Sequence, residues 1–160
     1  MIESGLFVLT LLSALGCGLT AGVFFAFSAF VMKALARRPA REGMAAMQSI
    51  NVVVLNRWFL GVFLGTAALC VVALISSLVR WHAPDAVLQL IGAALYLVGI
   101  LLVTIVFNVP KNEALASVAP TDPDAVRLWA GYVASWTAWN HVRTTAALGA
   151  AASFGVALSY

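Results

Sequence analysis

Charge is what this chain has least of. Asp, Glu, Lys and Arg make up 9% of its 160 residues, whereas soluble domains carry about 25%. Residues 4–32, 58–79, 86–110 and 144–160 carry no charge at all. A membrane span needs roughly 17–25 apolar residues, so the chain reads as a single integral membrane domain with four spans. No Asp or Glu falls within those stretches, which argues against a proton-coupled carrier built on a buried carboxylate. The two cysteines, Cys17 and Cys70, form no CxxC; this argues against a membrane thiol oxidoreductase and leaves them as small apolar side chains. The two histidines, His82 and His141, lie far apart with no acids beside them, which leaves a protein-only metal site without ligands. A haem on His141 would rest on that one imidazole. The basic start of a signal peptide is missing too, so Ala14-Leu15-Gly16-Cys17 does not read as a lipoprotein cleavage box. A net charge of +3 is too small to suggest nucleic acid.

The charges that remain are concentrated. Lys33, Arg37, Arg38 and Arg41 crowd the first loop and Lys111 and Arg127 flank the third, while the second offers Arg80 against Asp85. The positive-inside rule then places loops one and three in the cytoplasm and both termini outside, for a multi-pass protein of the inner (plasma) membrane. The expectation is all-α: a four-helix antiparallel bundle, residues 1–160, with helices over about 5–36, 41–79, 85–109 and 123–159, the long ones extending on the cytoplasmic side. Pro39 closes the first helix, and Asn108-Val109-Pro110 reads as the end of the third. Asp122 or Asp124 is a good cap for the fourth. Ala14, Gly18, Gly22 and Ala26 recur every four residues, and Gly61 and Gly65 repeat the spacing. Such ridges let helices approach closely in lipid, within the chain or between copies in a homo-oligomer. Met44, Met47, Gln48 and Asn51 share a face, and methionine at that spacing is ordinary core.

The polar residues near the C-terminus matter most. Trp129, Tyr132, Trp136, Asn140 and Arg143 step by 3, 4, 4 and 3, so they lie on one helical face. His141 falls roughly 100° away at 3.6 residues per turn. At about 1.5 Å per residue, Arg57, Asn108 and Arg143 all lie roughly 25–35 Å from the outer ends of their helices, on the cytoplasmic side. Asn51, Arg57, Asn108, Asn112, Asn140 and Arg143 therefore either line one pocket roofed by Trp136 and Trp139, or mark four interfaces with snorkelling ends. Asn is not a preferred anchor, which favours the pocket.

Four segments follow one another in order: Gly22-Val23-Phe24-Phe25-Ala26-Phe27, Met47 through Asn51, Phe107-Asn108-Val109-Pro110-Lys111-Asn112 and Trp139-Asn140-His141-Val142-Arg143-Thr144. Together they resemble the anthrone-oxygenase family of small four-helix membrane proteins, whose bacterial members are mostly of unknown function. The resemblance implies a cofactor-independent oxygenase acting on a hydrophobic phenolic, anthrone- or quinone-like molecule. On that reading His141 is the base, Arg143 and Asn140 are oxyanion donors, and Trp136 and Trp139 hold the ring, with Asn51, Arg57, Asn108 and Asn112 completing the binding site. The alternatives are a non-catalytic lipid or quinone binder using the same pocket, and a structural membrane subunit.

Overall fold

A computed structural model describes residues 2–160, folded into five helices. Helix α1 runs through Ile2–Ala26, a π turn at Phe27–Val31 and Met32–Ala36. Helix α2 is Ala40–Val53 and α3 is Arg57–Val79. Helix α4 covers Ala86–Tyr96, π turns at Leu97–Leu102 and Thr104–Asn108, and Val109–Ala116; α5 is Ala125–Ala157. Each long helix packs along two others: α1 along α3 and α5, and α4 along α3 and α5. The short α2 lies across one end, against α5 and the last turns of α4.

Three segments are long and apolar enough to cross a membrane: Ser4–Ala36, Arg57–Val79 and Ala86–Ala116. Their outward faces carry Leu12, Leu15, Leu19, Leu64, Val72, Ile75, Val98 and Leu102. The buried stripe of α1 is instead small and partly polar: Thr10, Ser13, Cys17, Thr20 and Ala21. Large apolar side chains outside and small ones inside suit a lipid solvent, because close backbone approach replaces hydrophobic burial as the source of cohesion. Helix α5, expected as the fourth span, has ample length at 33 residues, but Asn140, His141 and Arg143 interrupt its apolar run. Its small-residue face, Ala146, Ala147, Ala150 and Ser153, is buried.

Three boundaries differ from the sequence reading. The expected helix over 41–79 is two helices, broken where Asn56 turns extended (φ −102°, ψ 162°) and its side-chain oxygen accepts from the amides of Trp58 and Phe59. That is an N-cap in the middle of the expected helix. Helix α4 does not stop at Asn108 but continues past Pro110 to Ala116. The amide of Val109 reaches back five residues to the Thr104 carbonyl, and this widened turn relieves the clash a proline imposes on the turn before it. At the start of α5, Asp124 holds the cap position without a side-chain bond into the helix, and Asp122 accepts from the Asp124 amide instead.

The close approaches also lie elsewhere than the glycine ridges suggested. A Cβ at Gly18, Gly22, Gly61 or Gly65 would meet nothing within 4 Å. At Gly16 it would collide with the Thr66 side chain, and at Gly99 it would stand 2.5 Å from the Ala146 Cβ. Cys17 and Cys70 are fully buried free thiols in one apolar cluster with Tyr96 and Phe154. Met32, Met44 and Met47 pack into a second cluster with Trp129, Tyr132 and Trp136, so the methionines are core.

Candidate functional site: a buried arginine among aromatic rings

The face foreseen on α5 points inward along its whole length. Trp129, Tyr132, Trp136, Asn140 and Arg143 are all buried. Trp129 stacks on Tyr132 with ring centres 5.7 Å apart, and Tyr132 on Trp136 at 6.3 Å. The Arg143 guanidinium continues this column, 5.1 Å from the Trp136 ring centre and 4.3 Å from that of Phe24. Such placement returns about 2 kcal/mol or more when water is excluded.

Arg143 is only 5% exposed and no carboxylate balances it. The ion pairs of the described residues are Arg38–Glu42, Arg80–Asp85 and Arg127–Asp124, all remote from this column. Its fixed partners are neutral: one terminal nitrogen donates to Asn140 Oδ1 at 2.8 Å, the other to Thr104 Oγ1 at 3.2 Å. Its Nε–H has no partner. Asn140 is held in turn, its Nδ2 donating to the Phe24 carbonyl and to Ser28 Oγ, both at 2.8 Å. Ser28 and Thr144 share a hydrogen bond of 3.0 Å. Desolvating a cation costs several kcal/mol, and amide, hydroxyl and ring faces offset only part of that. The guanidinium is left with an unpartnered Nε–H and no ion pair among the described residues.

Three of the polar neighbours of this column come from irregular backbone. Ser28 lies in the π turn of α1, and Thr104 and Asn108 in the second π turn of α4. A π turn adds a residue to the helical repeat and re-aims the side chains around it, and such turns are frequent at functional sites. Asn108 is fully buried; its Nδ2 donates to the Trp136 carbonyl at 3.3 Å, and its Oδ1 has no partner. Asn112, one turn on, accepts from both Tyr132 Oη and Trp136 Nε1 at 2.9 Å. Asn51 on α2 is half-buried and its Nδ2 is unpartnered.

The structure therefore brings Asn108, Asn112, Trp136, Asn140 and Arg143 together. Three expected members lie apart. Arg57 is exposed at the start of α3, stacked 5.0 Å over Trp58. Trp139 stacks on Phe107 with ring centres 3.5 Å apart and stands outside the column of Trp129, Tyr132, Trp136 and Arg143. His141, expected as the base, is exposed. It lines an outward groove with Lys33 and Thr137, because one residue of rotation separates it from the Asn140–Arg143 face. Phe24, Ser28, Thr104 and Thr144 belong to the site without having been named for it, and Tyr132, foreseen on the face of α5, joins it through Asn112. The signal for Ser28 and Thr104 was a lone hydroxyl in an apolar run, which in lipid usually seeks a partner on a neighbouring helix. Among the described residues no three His, Cys, Asp or Glu side chains converge as a metal would require.

Fold and site together define an all-helical protein with membrane-compatible helices and an uncompensated cation in its aromatic core. The chain belongs to the anthrone oxygenase family, whose family model matches residues 56–153. That stretch holds Arg57, Asn108, Asn112, Trp136, Trp139, Asn140, His141 and Arg143, while Phe24, Ser28 and Asn51 precede it. No characterised protein and no solved structure matches the chain.

Proposed function

We propose that this chain is a membrane-embedded, cofactor-independent oxygenase of a hydrophobic phenolic, anthrone- or quinone-like small molecule, with Arg143 and Asn140 at its centre. It would stand as an antiparallel bundle of four spans in the plasma membrane, α5 being the fourth, with both termini outside. The exposed glycines at 18, 22, 61 and 65 support contacts between copies of the chain.

An anthrone carries an acidic CH₂ between two aromatic rings, opposite the carbonyl across the central ring and conjugated with it through them. Loss of one proton to solvent water gives an enolate whose oxygen is the natural partner of a buried guanidinium. The enolate carbon gives an electron pair to O₂ and forms a C–O bond. The resulting peroxide takes up the proton and then loses water with the second C–H hydrogen. CH₂ plus O₂ thus becomes C=O plus H₂O, with no outside reductant. Arg143 would hold the oxyanion, Asn140 would fix the guanidinium, and Trp136 and Phe24 would give way to or stack on the planar ring. The observation that carries this reading is the burial of Arg143 without a carboxylate.

The test is oxygen uptake, together with the quinone absorbance, of purified protein supplied with a dihydroxyanthrone. Wild type should accelerate both, and Arg143→Met should lose at least about tenfold, the worth of 1.4 kcal/mol. Uptake equal to that without protein would dismiss the reading. A second reading, a non-catalytic binder or structural subunit, draws on one observation: the guanidinium already has two ring partners, Phe24 and Trp136. Retention of a planar ligand without turnover would favour it.

A further inference from the structure

On the outer side of α5, away from Arg143, lies a groove of about 300 Å³, at the lower end of the size range of ligand pockets. Met32 and Ala36 from the last turns of α1 form one wall, and Val133, Ala134 and Ala138 from α5 the other. Lys33, Thr137 and His141 are its only polar lining. The groove sits where the apolar stretch of α1 ends: Ser4–Ala36 is the membrane-compatible segment, and Arg37, Arg38 and Arg41 follow at once. An apolar slot at that level opens towards acyl chains, and its cationic edge is level with headgroups.

The charges there are free. Among the described residues Arg38 is taken by Glu42 and Arg127 by Asp124, whereas Lys33 forms no ion pair. The Thr137 hydroxyl is shielded from solvent and has no partner. A lysine and an imidazole at the edge of an apolar slot match a phosphodiester with a hydrocarbon tail. Lysine at a membrane surface attracts anionic lipid through the same charge.

We infer that the groove between Met32–Ala36 and Val133–His141 is a binding site for one anionic phospholipid, its acyl chain along Val133, Ala134 and Ala138 and its phosphate held by Lys33 and His141. This gives His141 a task that its exposed position suits. The inference rests on membrane placement of α1 and is independent of the chemistry at Arg143.

The experiment is native mass spectrometry of the full chain in mild detergent, exchanged against phosphatidylglycerol, phosphatidylcholine or inorganic phosphate. Wild type should retain one phosphatidylglycerol in preference to phosphatidylcholine. A Lys33→Gln, His141→Gln double variant should lose that preference, the lysine charge alone being worth about fivefold. Ala138→Trp, which fills the slot at an exposed position and leaves the charges in place, should lose the lipid as well. Both variants are first checked for an unchanged helical spectrum and elution volume, and Lys33→Gln alone serves as a third variant if either fails. Equal retention of the two lipids, equal retention by wild type and variants, or phosphate competing without any lipid bound would each overturn the proposal. Loss of oxygen uptake in Arg143→Met leaves these outcomes unaltered, so the two readings fail separately.

Discussion

Replacing Asn140 with Leu should destabilise the protein far more than replacing Arg143 with Met. Asn140→Leu removes the best acceptor of a guanidinium that no carboxylate neutralises, a charge-assisted bond of about 1.5–3 kcal/mol. It also removes the donor to Phe24 O and Ser28 Oγ, although Ser28 keeps Thr144. Together this comes to about 2–4 kcal/mol. Arg143→Met takes the charge away with its desolvation cost of several kcal/mol. It leaves Asn140 Oδ1 unpaired at about 1–3 kcal/mol, while Thr104 can turn its hydroxyl to its own helix. The two effects oppose each other, so stability should stay within about 1–2 kcal/mol of wild type or rise. The double variant should be more stable than Asn140→Leu alone, the sign of direct coupling. Thermal unfolding in detergent reads the difference at roughly 2–4 °C for each kcal/mol in a chain of this size. If Arg143→Met unfolds as early as Asn140→Leu, the guanidinium is a structural tie and its burial is no argument for an anionic ligand.

Further outcomes follow from packing and capping. Asn112→Leu orphans Tyr132 Oη and Trp136 Nε1 and should cost about 2–4 kcal/mol, most of it restored in Asn112→Asp, which keeps an acceptor; chemical unfolding of the three proteins checks this. Gly99→Val drives a side chain into Ala146 and should cost about 1–3 kcal/mol or more, whereas Gly18→Ala meets open space and should be neutral or stabilising by up to about 1 kcal/mol; paired melting curves separate the two. Asn56→Ala removes the cap of α3 and should lower stability by about 1 kcal/mol, seen as a lower unfolding temperature in the same measurement.

Periodicity carried most of what could be read in advance. The spacing of Trp129, Tyr132, Trp136, Asn140 and Arg143 is that of a helix, and a polar face on an apolar helix turns inward. The same geometry put His141 elsewhere, and the family resemblance that made it a base did not outweigh one residue of rotation. Pro110 was misleading because a rule about proline assumes a regular α ladder. Two π turns in α4 changed the ladder, and no local residue pattern marks them. The glycines followed the same logic: a four-residue repeat shows that a close approach is possible on a face, not that a partner helix occupies it. Gly16 and Gly99, which match no such repeat, mark the contacts between α1 and α3 and between α4 and α5. Ser28 and Thr104 became legible only once α1, α4 and α5 were side by side, since what they serve lies on another helix.

On the proposed function, Arg143 is kept buried to meet an oxyanion. The most direct measurement is a binding titration of a dihydroxyanthrone under nitrogen, followed by quenching of tryptophan fluorescence, in wild type, Arg143→Lys and Arg143→Met. Trp136, 5.1 Å from the guanidinium, should be quenched in wild type. Affinity should fall at least about tenfold in Arg143→Met, with Arg143→Lys between them, since lysine keeps the charge but loses the planar fork. Equal affinity in all three proteins would contradict the account.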